Sequence, residues 1–112
     1  MALYGIRTCD TCRKARRALE AAGQDVRFVD LRDTPPSRDV ITTWLDALGP
    51  DLVNRRSTTW RSLDPQDRET EPSKLLAAHP TLFKRPILDR DGTLYLGWGK
   101  DVQAAMLPPT GG

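Results

Sequence analysis

Within the first 31 residues an apolar run, a helical stretch and a second apolar run follow one another with almost no linker, which leaves few folds open. Ala2-Leu3-Tyr4-Gly5-Ile6 is a brief apolar run consistent with a buried strand. Ala15, Ala18, Leu19 and Ala22 then recur on one helical face, and Gly23 stops the pattern as a glycine just past a helix end does. Val26, Phe28 and Val29 form a second strand running to about Leu31. Strand, helix and strand in this compass predict a βαβ unit, with parallel strands and a right-handed crossover.

Thr34-Pro35-Pro36-Ser37 breaks the pattern, and Ser37 can cap a helix carrying Val40, Ile41, Trp44, Leu45 and Leu48 on one side. Gly49-Pro50 ends that helix, and a short helical piece around Leu52 and Val53 follows. Residues 55–61 read as a polar stretch and Asp64 to Glu71 as a charged, exposed one. Pro72-Ser73 can start a further helix through Leu75 and Leu76, which His79-Pro80 closes. Asp91-Gly92 between Ile87-Leu88 and Thr93 to Leu96 is a hairpin signal. Val102, Ala105 and Met106 then mark a last helix. The order βαβ, helices, ββα predicts an α/β fold with one mixed sheet covered by helices. A single domain over residues 1–107 is expected, with a helical insertion at about 37–80 and a flexible tail at 108–112.

A chain of 112 residues suffices for one core. The formal net charge of +2 is too small to argue for nucleic acid or a membrane surface, and neither is expected as a partner. No apolar run approaches the roughly 20 residues of a spanning helix. Met1 to Ile6 is too short for a signal-peptide core and lacks a charged lead-in, so a cytoplasmic protein is expected; a monomer is expected as well. In that compartment two close cysteines suggest catalysis or metal binding more than a structural bridge.

The two cysteines form Cys9-Asp10-Thr11-Cys12, where the first strand hands over to the first helix. Thiols at i and i+3 around a first helical turn can approach closely, and a helix N-terminus favours a thiolate. Cys9, at or near the N-cap, is the candidate nucleophile. Cys12 is either a resolving thiol or a small apolar residue packed under the loop. Asp10 or Thr11 is expected to cap the helix with its side chain. Arg13 and Lys14 stand against the helix dipole, which attraction of an anion explains, whereas Arg16 and Arg17 read as a solvated face. Cys9, Cys12 and His79 supply only three potential zinc ligands without a second Cys-x-x-Cys pair, so no metal is expected.

Leu3-Tyr4-Gly5-Ile6 followed by Cys9-Asp10-Thr11-Cys12-Arg13-Lys14-Ala15 resembles the opening of the ArsC/Spx/YffB family of arsenate-reductase-related proteins. Thr58-Thr59-Trp60-Arg61 and Lys84-Arg85-Pro86-Ile87-Leu88 look like two further family blocks in the right order, and the short YffB-type branch is the nearest in pattern. The resemblance implies a thioredoxin-like fold with a helical insertion before the closing hairpin. It places Cys9 at the family's catalytic cysteine and Pro86 at the cis-proline facing the cysteine loop. Arg85 would then hold the thiolate or an oxyanion near Cys9, making Cys9, Cys12 and Arg85 the catalytic set, with Arg13, Lys14 and Pro86 binding substrate. Leu96-Gly97-Trp98-Gly99 lacks the further arginine of arsenate reductases proper, and the insertion's arginine also finds no match. Trp60 and Trp98 read as packing or as groove walls.

The resemblance thus implies a thiol–disulfide oxidoreductase, a reductase acting on a thiol or disulfide substrate with glutathione as co-substrate and no bound cofactor. Its alternative is an Spx-like redox-sensing regulator that binds the RNA polymerase α subunit through a Cys9–Cys12 switch.

Overall fold

The computed structural model describes residues 1–107; the tail expected at 108–112 lies outside the described residues. Chain contacts divide it into two compact units, one of Met1–Asp30 with the chain from Arg85 onward, the other Leu31–Lys84. Each is built on the apolar pattern of its own segments.

In the first unit β1 (Ala2–Gly5), α1 (Asp10–Ala21) and β2 (Arg27–Asp30) are the expected βαβ element, with β1 and β2 parallel and Leu3 opposite Phe28. The α1 helix ends where the glycine predicts. Gly23, at φ 83°, gives its N–H to Glu20 O while Gln24 N–H reaches back to Leu19 O, which satisfies two late carbonyls. The hairpin also forms: β3 (Ile87–Arg90) and β4 (Thr93–Leu96) pair antiparallel with Arg90 opposite Thr93. Asp91 at φ 53° and Gly92 at φ 88° supply the two left-handed positions of a tight two-residue turn. β3 also pairs antiparallel with β1, giving the strand order β2-β1-β3-β4. The core of this unit is Leu3, Cys12, Ala15, Leu19, Leu88 and Met106, the last contributed by the closing helix, Lys100–Met106.

In the second unit α2 (Arg38–Leu48) starts on the predicted cap, Ser37 Oγ accepting the Val40 N–H at 3.2 Å. Ile41 and Trp44 are its buried face, and Trp44 meets Phe83 edge-on with centroids 5.8 Å apart. Two short helices, α3 (Thr58–Ser62) and α4 (Pro65–Arg68), occupy segments that read only as polar or charged. Neither buries a residue, so no apolar period announces them; Ser57 Oγ capping the Trp60 N–H starts α3. α5 (Pro72–Ala78) buries Ser73, Leu75 and Leu76. α6 is the closing helix Lys100–Met106 of the first unit. Among the described residues no helix is long and apolar enough to cross a membrane.

Candidate active site

The loop between β1 and α1 is pinned at both ends by backbone donors. Cys9 N–H donates to Ile6 O at 2.9 Å, folding the chain back on itself. Arg7 N–H donates to Asp30 Oδ2 at 2.9 Å, and that carboxylate, 5% exposed, closes the neighbouring parallel strand. A buried carboxylate is retained only where donors replace its water, so the end of β2 and the cysteine loop are built as one piece. Sequence reasoning missed Asp30, whose signal would have been an acid closing an otherwise half-buried strand.

Cys9 is the N-cap of α1, with φ −82° and ψ 118°, and its carbonyl accepts the Arg13 N–H at 3.1 Å. This corrects the expectation for Asp10 and Thr11. The cap makes no side-chain hydrogen bond, and both residues are exposed within the first turn. Leaving the cap position to cysteine frees the first amides of the helix for a sulfur instead of a side-chain oxygen.

Cys12 lies one turn further and exposes no surface. Its neighbour across the packing is Gly5: a Cβ built on Gly5 would stand 2.5 Å from Cys12 Sγ and 3.2 Å from Cys12 Cβ. Only a residue without a side chain lets β1 take the thiol this closely. Sequence reading passed over Gly5, although a glycine inside a strand is a recognised sign of close approach.

Arg85, whose side chain hydrogen-bonds Cys9, and Pro86 directly precede β3. Their peptide bond is cis, as the resemblance implies, and Pro86 is fully buried with its carbonyl accepting the Gly97 N–H at 2.8 Å. The two thiols are both free and differ sharply in character. Burial by itself would raise Cys9. Hydrogen bonds from the Cys12 N–H, the Cys12 thiol and the Arg85 guanidinium, with the guanidinium charge, outweigh it and hold Cys9 below the ordinary thiol value. For Cys12 burial dominates, and the hydrogen bond and charge of Cys9 add to it, so the thiol is pushed up to about 12. The structure therefore brings Cys9, Cys12 and Arg85 together, with Pro86 following Arg85 in the chain, an arrangement able to keep one sulfur anionic beside another that stays protonated.

The remaining predicted residues divide. Arg13 turns back over the loop, its Nε donating to Arg7 O at 2.8 Å. Lys14 is exposed and does not join Arg13 along the cleft beside α1. Trp98 is partly buried against the core, and Trp60 carries the guanidinium groups of Arg55 and Arg68 over its ring at 5.4 and 5.5 Å. Among the described residues no group of three or more His, Cys, Asp or Glu side chains is placed to hold a metal ion.

Comparisons with known proteins agree with this frame. The chain is 39% identical over 109 residues to an uncharacterized protein of Haemophilus influenzae, covering 92% of this chain and 96% of that one. It is 30% identical to the global transcriptional regulator Spx of Streptococcus mutans, over 90% of this chain and 78% of the regulator. The solved structure of a YFFB protein superposes with a TM-score of 0.87 at 32% identity, covering 96% of this chain and 98% of that one. The fold is thus the thioredoxin-like one of these arsenate-reductase-related proteins. A model of the ArsC family matches residues 4–106, and the chain belongs to the ArsC family.

Proposed function

We propose that the chain is a thiol-dependent reductase in which the Cys9 thiolate attacks a disulfide or a glutathionylated thiol. The observation that carries this reading is the placement of the two thiols: Cys9 is the part-exposed N-cap of α1 hydrogen-bonded to Arg85, and Cys12 is wholly buried one turn on, which lowers the first and raises the second. The thiolate is the reactive form of cysteine, so the reaction begins at Cys9. Attack at one sulfur of the disulfide, the glutathionyl sulfur where the substrate is a glutathionylated thiol, bonds that half to Cys9 and expels the substrate's other half as a thiolate, which takes up a proton. Arg85 holds the Cys9 charge before attack, and the Cys12 thiol donates to it.

Burial is the largest cause of the high Cys12 value, and forming a mixed disulfide at Cys9 does not remove burial. Resolution is therefore assigned to an external thiol of the glutathione type. With a glutathionylated thiol the group held on Cys9 is glutathionyl; the donor's sulfur attacks it, leaves as glutathione disulfide and returns Cys9 as thiolate, the substrate having already left as its free thiol. Cys12 acts chiefly as a hydrogen-bond donor in this scheme. Turnover of a glutathionylated test substrate with glutathione as donor tests it. Cys9→Ser is expected to abolish turnover and Cys12→Ala to retain a measurable fraction. Equal rates for wild type and Cys9→Ser would sink the reductase reading, and complete loss in Cys12→Ala would move resolution to Cys12.

The similarity to the regulator Spx favours a second reading, a redox-sensing protein that binds the RNA polymerase α subunit and is switched by a Cys9–Cys12 disulfide. Dithiothreitol-sensitive capture of the purified α subunit, with no thiol turnover, would select it over the first.

A further inference from the structure

The Cys9 chemistry leaves unused a cleft of about 310 Å³ lined by Arg7, Cys12, Arg13, Arg16, Arg17 and Phe28. Cys12 lies at its base and exposes no surface, so the accessible walls are four arginines and one aromatic ring. Arg13, Arg16 and Arg17 stand at i, i+3 and i+4 on α1, one helical face with three like charges. Such spacing opposes helix stability, and Arg13 in the first turn also opposes the helix dipole. A cluster that costs stability calls for a compensating anion.

The acids nearby supply only part of it. Arg16 Nε pairs with Glu20 at 3.2 Å, and Arg13 Nη1 comes within 3.9 Å of Asp10, but the acid side chains are 51% and 86% exposed and such pairs are weak. Arg17 makes no ion pair or hydrogen bond among the described residues. Meanwhile the forks are pre-oriented. Arg13 Nε is tied to Arg7 O, and the Arg16 guanidinium lies over Phe28 at 5.4 Å. Guanidinium groups fixed in this way bind carboxylate or phosphate oxygens with less ordering to lose. The volume is at the small end of the roughly 300–1,000 Å³ typical of small-molecule clefts, which suits a ligand of peptide-metabolite size.

We propose that this cleft binds a small molecule bearing two or more oxyanion groups, carboxylate or phosphate, with its carbon skeleton against Phe28. Reactivity of Cys9 is not needed for such binding. Isothermal titration of the full chain at low salt tests it with two probes, inorganic pyrophosphate and S-methylglutathione, the second carrying two carboxylates and a blocked sulfur. Saturable binding of either probe is expected, and which probe binds distinguishes phosphate from carboxylate as the ligand's source. Arg17→Gln should weaken binding about tenfold and the pair Arg16→Gln/Arg17→Gln about a hundredfold. Lys100→Gln, which removes the same charge from α6, should change it less than about twofold, and Cys9→Ser should leave it unchanged. Absence of saturable binding by both probes, or equal weakening by Lys100→Gln and Arg17→Gln, overturns the assignment.

Discussion

Replacing Gly5 by alanine tests how the sheet controls the thiol pair. The new Cβ would lie 2.5 Å from Cys12 Sγ and 3.4 Å from Leu3 Cδ2. The first distance is roughly 1 Å inside the about 3.5–4.0 Å of ordinary contact. Cys12 cannot yield freely, because it is enclosed by Leu3, Ala15, Leu19, Leu88 and Met106. Overpacking of this kind costs about 1–3 kcal/mol, set against about 0.4–1 kcal/mol gained by restricting the unfolded chain. A net loss of about 1–2 kcal/mol is expected in urea unfolding. Displacing the Cys12 thiol disturbs the hydrogen bond that helps lower Cys9, so the Cys9 value is expected to rise and its alkylation at neutral pH to slow. In Cys12→Ala the offending sulfur is gone, and the two substitutions together should cost less than their sum by about 1 kcal/mol. Unchanged stability with an unchanged Cys9 pH profile in Gly5→Ala would refute the reasoning.

Three further outcomes are expected. Arg85→Ala removes both a donor and a positive charge from Cys9, so its alkylation near pH 6 should slow while Arg85→Lys keeps part of the rate; equal rates in all three proteins would contradict the assigned electrostatics. Folded Cys12 holds its proton to about 12 whereas an unfolded cysteine releases it near about 8.5, so stability should fall as pH rises from about 8.5 toward 12. That loss approaches about 1.4 kcal/mol per pH unit, and Cys12→Ala should remove it from the unfolding free energy measured between about pH 8.5 and 10. Gly92→Ala places a side chain at φ 88° in the hairpin turn and should cost about 1–2 kcal/mol, read as a lower urea midpoint.

What the sequence made legible follows from which forces act locally. The spacing of Ala15 and Leu19, the stop at Gly23 and the Asp91-Gly92 turn are local instructions, and the structure follows each of them. α3 and α4 are not of this kind. They bury no residue, and their short lengths carry no period, so Ser57 was their nearest sign and lay inside a stretch that reads as polar. At the site, Cys9 and the cis bond before Pro86 were accessible through the motif blocks, because residue type and order carry them. The contact of Gly5 with Cys12 and the bond from Arg7 to Asp30 depend on which strands become neighbours, which no local pattern states. Arg16 and Arg17 are exposed, as a solvated face predicts, but that this face also forms one wall of a cleft shows only once β2 brings Phe28 beside it.

The central claim is that Cys9 is the anionic sulfur and Cys12 its protonated neighbour. Alkylation of each cysteine by iodoacetamide, followed across pH and resolved by peptide mass spectrometry, measures this directly. The account predicts half-maximal reactivity of Cys9 below the ordinary value of about 8.5, and a Cys12 that stays unreactive through about pH 10. Two cysteines titrating together near the ordinary value, or a Cys12 that reacts first, would contradict it.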